Sequence, residues 1–130
     1  MYNLFDKSVF TIYQGNSMEL DIYLTDSETG ECIPLENGAY VLFTIANRHG
    51  EKVIQKKLTE SNCVTEGEIP FIVCTIDADE TINLLTGEYS YDCLYVDGSS
   101  VTTFISSTVV VAKAVGKYTD TPSNGGESDG

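Results

Sequence analysis

Between residues 17 and 25, Met18, Leu20, Ile22 and Leu24 alternate with Glu19, Asp21, Tyr23 and Thr25. Successive side chains of an extended strand point to opposite faces, so this period of two specifies a strand with one dry face and one wet one. A sheet that is apolar on one face must bury it against a second layer.

The rest of the chain supplies strands for that layer. Residues 8–13 carry Val9, Phe10, Ile12 and Tyr13, and Gln14-Gly15-Asn16 then turns the chain back. After the polar stretch 25–30 and Ile33-Pro34-Leu35, Asn37-Gly38 opens a strand over 39–46 with Val41, Phe43 and Ile45 on one face. Asn47-Arg48-His49-Gly50 reads as a hairpin turn. Residues 52–58 follow as a polar strand, with Val53, Gln55 and Lys57 opposite Ile54, Lys56 and Leu58. Its lysines mark it as a sheet edge, because charge on an exposed rim discourages pairing with other chains. Residues 60–68 read as an acidic loop. Residues 70–76 are a strand whose inner set is either Ile72, Cys74 and Ile76 or Phe71 and Val73.

Asp77 suits an N-cap, and Ala78, Ile82 and Leu85 behind it predict a short helix over 77–85, ended by Thr86-Gly87. Residues 87–96 place Tyr89, Tyr91, Cys93 and Tyr95 on one face. Asp97-Gly98 signals a hairpin into a β-branched strand over 100–115. Seven or eight strands with one short helix predict an antiparallel β-sandwich over residues 1–118. Residues 119–130 hold Pro, Ser, Gly and acids without a large apolar side chain, the composition of a disordered tail.

A length of 130 residues suits one domain, which hides roughly two thirds of its unfolded surface. The net charge of −13 repels DNA, RNA and anionic lipid, so neither a nucleic-acid nor a membrane role is expected. Residues 1–10 lack the apolar stretch of a signal peptide, and no apolar run approaches the roughly 18–20 residues of a membrane span.

Four cysteines, Cys32, Cys63, Cys74 and Cys93, form no CxxC pair and lie far in sequence from the single histidine, His49. That spacing disfavours a zinc site. Without a sign of export, reduced thiols are expected, with Cys74 and Cys93 as small core residues. Tyr91-Asp92-Cys93 has the Tyr-x-Cys spacing of an immunoglobulin tyrosine corner, yet the strand around Leu20 supplies no cysteine to cross-link. The expected fold is therefore immunoglobulin-like without that disulfide, its core including Leu20, Ile22, Phe43, Ile45, Tyr89, Tyr91 and Cys93.

No catalytic motif is present, and no cofactor is called for. His49 reads as an exposed turn residue. Asp26, Glu28 and Glu31, or Asp77, Asp79 and Glu80, offer the hard oxygens that calcium takes, but neither set has the EF-hand loop, and solvated turns are the expectation. Tyrosines on one outer face would make a platform for sugar. The residues expected at partner contacts are Lys52, Gln55 and Lys57 on the polar rim, with Asp26, Glu28 and Glu66 in acidic loops.

The order of these features resembles the N-terminal domain family of phage baseplate upper proteins. The similarity runs from about Val9 to Asp120. It comprises Gln14-Gly15-Asn16, the strand from Glu19 to Leu24, Ile33-Pro34-Leu35-Glu36-Asn37-Gly38-Ala39, Phe43-Thr44-Ile45, Val53-Ile54-Gln55-Lys56-Lys57, an Asp-rich helical turn from Asp77 to Leu85, Gly87-Glu88-Tyr89-Ser90-Tyr91-Asp92, and Asp97-Gly98 with Val101-Thr102-Thr103. Asn16 stands where the family usually has Asp, and the family continues into a receptor-binding platform. The resemblance implies a non-enzymatic structural or adaptor protein of a phage or prophage virion, made in the host cytoplasm. Its partners would be other phage structural proteins or a second copy of itself. A carbohydrate-binding module is the alternative, distinguished by aromatics converging on one sheet face.

Overall fold

The computed structural model describes residues 2–4, 8–26 and 28–114. In chain order its elements are β1 (Tyr2–Leu4), β2 (Phe10–Tyr13), β3 (Met18–Ile22), β4 (Tyr40–Ala46), β5 (Lys52–Leu58), β6 (Cys63–Glu66), β7 (Ile69–Ile76), α1 (Ala78–Thr81), β8 (Gly87–Asp97) and β9 (Ser100–Ala112). Pairing gathers the strands into two sheets, ordered β1-β3-β7-β6 and β2-β9-β8-β4-β5. Taken as A-B-E-D and as G-F-C-C′ with β2 added beside G, these are the sheets of an immunoglobulin-like sandwich.

The dry faces meet between the sheets. Leu20 and Ile22 of β3, Val41, Phe43 and Ile45 of β4, and Ile72, Cys74 and Ile76 of β7 are buried there with Tyr89, Tyr91 and Cys93 of β8 and Ile105, Val109 and Val111 of β9. The two readings of β7 are thus resolved in favour of Ile72, Cys74 and Ile76. With no tryptophan and no cysteine on β3, rings fill the centre. Phe10 meets Tyr91 edge-on at 5.0 Å between centroids, and Phe43 lies 5.9 Å from Tyr91. Burying a ring of this kind contributes roughly 1.5–3 kcal/mol.

Several expectations change. β1 and β6 are strands that the pattern did not announce, and residues 60–68, read as a loop, hold a 3-10 turn (Glu60–Asn62) followed by β6. The sandwich is not wholly antiparallel, because β1 runs parallel to β3 and β2 parallel to β9. Parallel neighbours need a long connection between them, and these pairs have one: β2 intervenes between β1 and β3, and most of the chain separates β2 from β9. β3 ends at Ile22, and Thr25 then bridges Cys32 across a small turn. β9 ends at Ala112, and the proposed tail at 119–130 lies outside the described residues.

The helix is one turn, Ala78–Thr81, and not the two expected over 77–85. Leu85 is exposed and gives a second turn nothing to bury. The backbone around it serves other groups instead: the Leu84 carbonyl accepts from Gln14 Nε2 at 2.6 Å, and the Leu85 carbonyl accepts from the Tyr89 hydroxyl at 2.7 Å.

Candidate interaction surface

Among the described residues β5 is the free edge of the five-stranded sheet, as the lysines implied. Its outer row depends on an irregularity. Gln55 pairs opposite Thr44 and Lys57 opposite Leu42, but the register shifts between Ile45 and Ala46, so that Lys52 pairs opposite Ala46. The shift takes Val53 out of the alternation to pack, half-buried, on the core, and brings Lys52 into the row with Gln55 and Lys57. Gln55 Nε2 donates to Thr44 Oγ1 at 3.0 Å, and Lys57 Nζ lies 4.4 Å from the centroid of the Tyr40 ring. A cation over an aromatic face in this way keeps its charge at the surface while its stem covers apolar area.

Lys56 falls on the inner row with the buried Ile54 and Leu58. Its ammonium donates to both carboxylate oxygens of Glu80 at 2.7 Å. Burial works to raise the Glu80 carboxyl, but the Asp77 N–H at 2.9 Å and the Lys56 charge hold it below its usual range. An inward charge on an edge strand is one of the devices that stop uncontrolled sheet growth.

A groove of about 350 Å³ opens at the end of this row, lined by Gly38, Tyr40, Lys57, Thr59, Glu60 and Ser61 among others. Its far wall is shaped by local bonds. Thr59 Oγ1 and Ser61 Oγ lie 2.8 Å apart, and the Thr59 N–H donates to Asn62 Oδ1 at 2.9 Å. The groove thus offers hydroxyls, one carboxylate and one ammonium beside an aromatic ring.

The acidic candidates separate. Glu66 is not in a loop but ends β6, the edge strand of the smaller sheet. Asp26 and Glu28 sit in the turn closed by the Thr25–Cys32 bridge. Asp26 Oδ1 accepts from the Glu28 N–H at 2.7 Å and the Thr29 N–H at 3.1 Å, which lowers its pKa. Its carboxylate is therefore shaping the turn. The described residues bring together no group of three or more His, Cys, Asp or Glu able to hold a metal ion. No helix among them is long and apolar enough to cross a membrane.

Tyr91 does not make the corner that its spacing from Cys93 suggested. Its hydroxyl donates to the Ser8 carbonyl, pinning the chain that enters β2, and the short-range bond back to the backbone belongs to Tyr89. Cys74 and Cys93 are buried free thiols. Burial pushes the Cys74 thiol up to about 12 and raises that of Cys93 as well. His49 is exposed in its turn, where the backbone N–H donates to Asn47 Oδ1 at 2.9 Å, and it does not line the groove.

Two features escaped the sequence. Asp21, expected on a wet face, is only 4% exposed, and its Oδ1 has no hydrogen-bond partner among the described residues. Burial, then the nearby charges of Glu19 and Glu66, raise its pKa. Thr81 is fully buried, accepting from the Gly15 N–H at 2.9 Å while its hydroxyl donates to the Asn16 carbonyl at 2.9 Å. Neither residue sits in a motif that marks it. Comparison with known protein families and with curated proteins finds no match to this sequence.

Proposed function

We propose that this chain is a non-enzymatic structural or adaptor protein of a phage or prophage virion, working by protein–protein contact in a tail, baseplate or fibre assembly. The observation that carries the reading is the β5 edge. There Lys52, Gln55 and Lys57 form one outer row that runs into an open groove, at the free margin of a sheet. An edge strand keeps a row of unpaired backbone groups; its lysines discourage indiscriminate pairing, and a partner of opposite charge can still use the edge by strand addition. The order of features that resembles the baseplate upper protein family supports a virion setting, with assembly in the host cytoplasm.

The test is light scattering of the protein mixed with the products of adjacent reading frames. A stable complex with a tail or fibre protein, weakened by Lys52→Glu with Lys57→Glu, is the expected result. Indifference to every such neighbour, together with binding on a glycan array, would transfer the reading to a carbohydrate module. The placement of the aromatics speaks against that alternative. Tyr40 lies under Lys57 on the larger sheet, whereas Tyr23 pairs with Phe71 at 5.6 Å on the other.

A further inference from the structure

Charge is unevenly spread over the flank where β5 and β6 lie. The described residues hold five basic side chains, and four of them, Arg48, Lys52, Lys56 and Lys57, fall on β5 or the turn before it, in a chain of net charge −13. The link after β5 is short: Thr59 and the turn Glu60–Asn62 lead directly into β6. The free edges of the two sheets therefore share one side of the sandwich. The second edge, β6 with the turn after it, is acidic, with Glu66 and Glu68 exposed, and it also exposes Val64 at 41% and Ile69 at 51%. Among the described residues Lys56–Glu80 is the one ion pair, so Arg48, Lys52 and Lys57 on one edge and Glu66 and Glu68 on the other have no ion-pair partner there.

From this pattern we infer that the flank is self-complementary and closes a two-fold dimer, β5 of one protomer lying against β6 of its partner and the reverse. The inference rests on reading the flank as a contact surface and names its occupant as a second copy of this chain. A two-fold axis can bring like edges together or opposite ones. Like edges would set lysine against lysine, which is destabilising across a strand pair. Crossed edges set Lys52 and Lys57 near Glu66 and Glu68, twice over, and cover Val64 and Ile69. Such a dimer uses both edges of the flank, so it closes and does not grow into a fibre, in keeping with the register shift and the inward Lys56 on β5.

Sedimentation of the whole chain at low and raised salt tests this. The expected mass at low salt is twice the 14.2 kDa protomer, falling towards one protomer as salt screens the contact. Lys52→Glu with Lys57→Glu, and separately Glu66→Lys with Glu68→Lys, should each give monomers. Their equimolar mixture should restore a dimer, because each edge then meets the opposite sign, and restoration also shows that both variants are folded. A wild-type chain that stays monomeric at low salt overturns the inference, as does a mixture that stays monomeric. A monomer that still binds a virion neighbour removes self-association alone. A dimer indifferent to all virion proteins removes the adaptor reading instead.

Discussion

The junction of α1 with the β2–β3 turn and the flank formed by β5 and β6 are both built from polar side chains, and they are finished in opposite ways. At the junction the polar groups close on one another: Thr81 takes the Gly15 N–H and gives its proton to Asn16, while Gln14 reaches the Leu84 carbonyl. Gly15 makes this possible with φ of 81°, a conformation that other residues adopt at a cost. On the flank, Lys52, Lys57, Glu66 and Glu68 face outward without ion-pair partners among the described residues. Polar groups that satisfy one another hold the fold together, whereas polar groups left open are available to another molecule. Substitutions in the two regions should therefore separate stability from association.

The largest effect is expected at the closed site. Thr81→Val keeps the shape but leaves the Gly15 N–H buried without an acceptor, so it should cost about 2–3 kcal/mol in denaturant unfolding. The mass in solution should not change while the protein is folded. A loss of dimer in the folded variant would mean that the two regions are not independent.

Lys56 stands between the two regions, because it belongs to the edge strand yet points inward to Glu80. Its ammonium is partly exposed, so Lys56→Ala should cost only about 1 kcal/mol. The Glu80 carboxyl is held below its usual range, and a depressed acid stabilises the fold above its unfolded pKa and loses that contribution as pH falls through the folded value. Unfolding curves of wild type and variant should accordingly converge on acidification. A constant gap down to strongly acid pH would show that packing of the lysine stem, and not its charge, accounts for the loss.

The same contrast governs how much of the structure is legible in the chain. Long strands with regular alternation are legible: the inner sets Val41, Phe43, Ile45 and Tyr89, Tyr91, Cys93 fall where period two puts them. The polar edge at 52–58 is legible too, since a strand paired on both sides has little room for three lysines, whereas a free rim gains from them. The short strands β1 and β6 are not, because three or four residues cannot display a period. The register shift that moves Lys52 outward has no sequence signature, and the role of Thr81 depends on a turn 65 residues earlier in the chain. Tyr91 shows the limit of a spacing argument. Tyr-x-Cys marks a buried tyrosine correctly, but which carbonyl its hydroxyl meets is a matter of packing.

Asp21 is the residue that fits neither region, since it is neither fully bonded among the described residues nor open to solvent. Its pKa is raised by burial and then by Glu19 and Glu66. A raised acid favours the folded state below its unfolded pKa, near 3.8, and that advantage is lost as pH rises through the folded value. At neutral pH the ionised side chain therefore works against folding, and Asp21→Asn should stabilise by about 1 kcal/mol. Thermal unfolding across pH checks the sign: the gain should be full at neutral pH and fade in acid.

The smallest effect on stability should come from the surface where the largest effect on association is expected. Lys57 loses an exposed cation–π contact when replaced by alanine, worth about 0.5 kcal/mol, and Lys52 has no ion-pair partner among the described residues. Lys52→Ala and Lys57→Ala should each leave the unfolding midpoint nearly where it was and weaken the dimer measurably in sedimentation. If either variant instead unfolds as readily as Thr81→Val, the open flank is part of the closed fold after all, and the distinction between the two regions fails at the residue meant to define it.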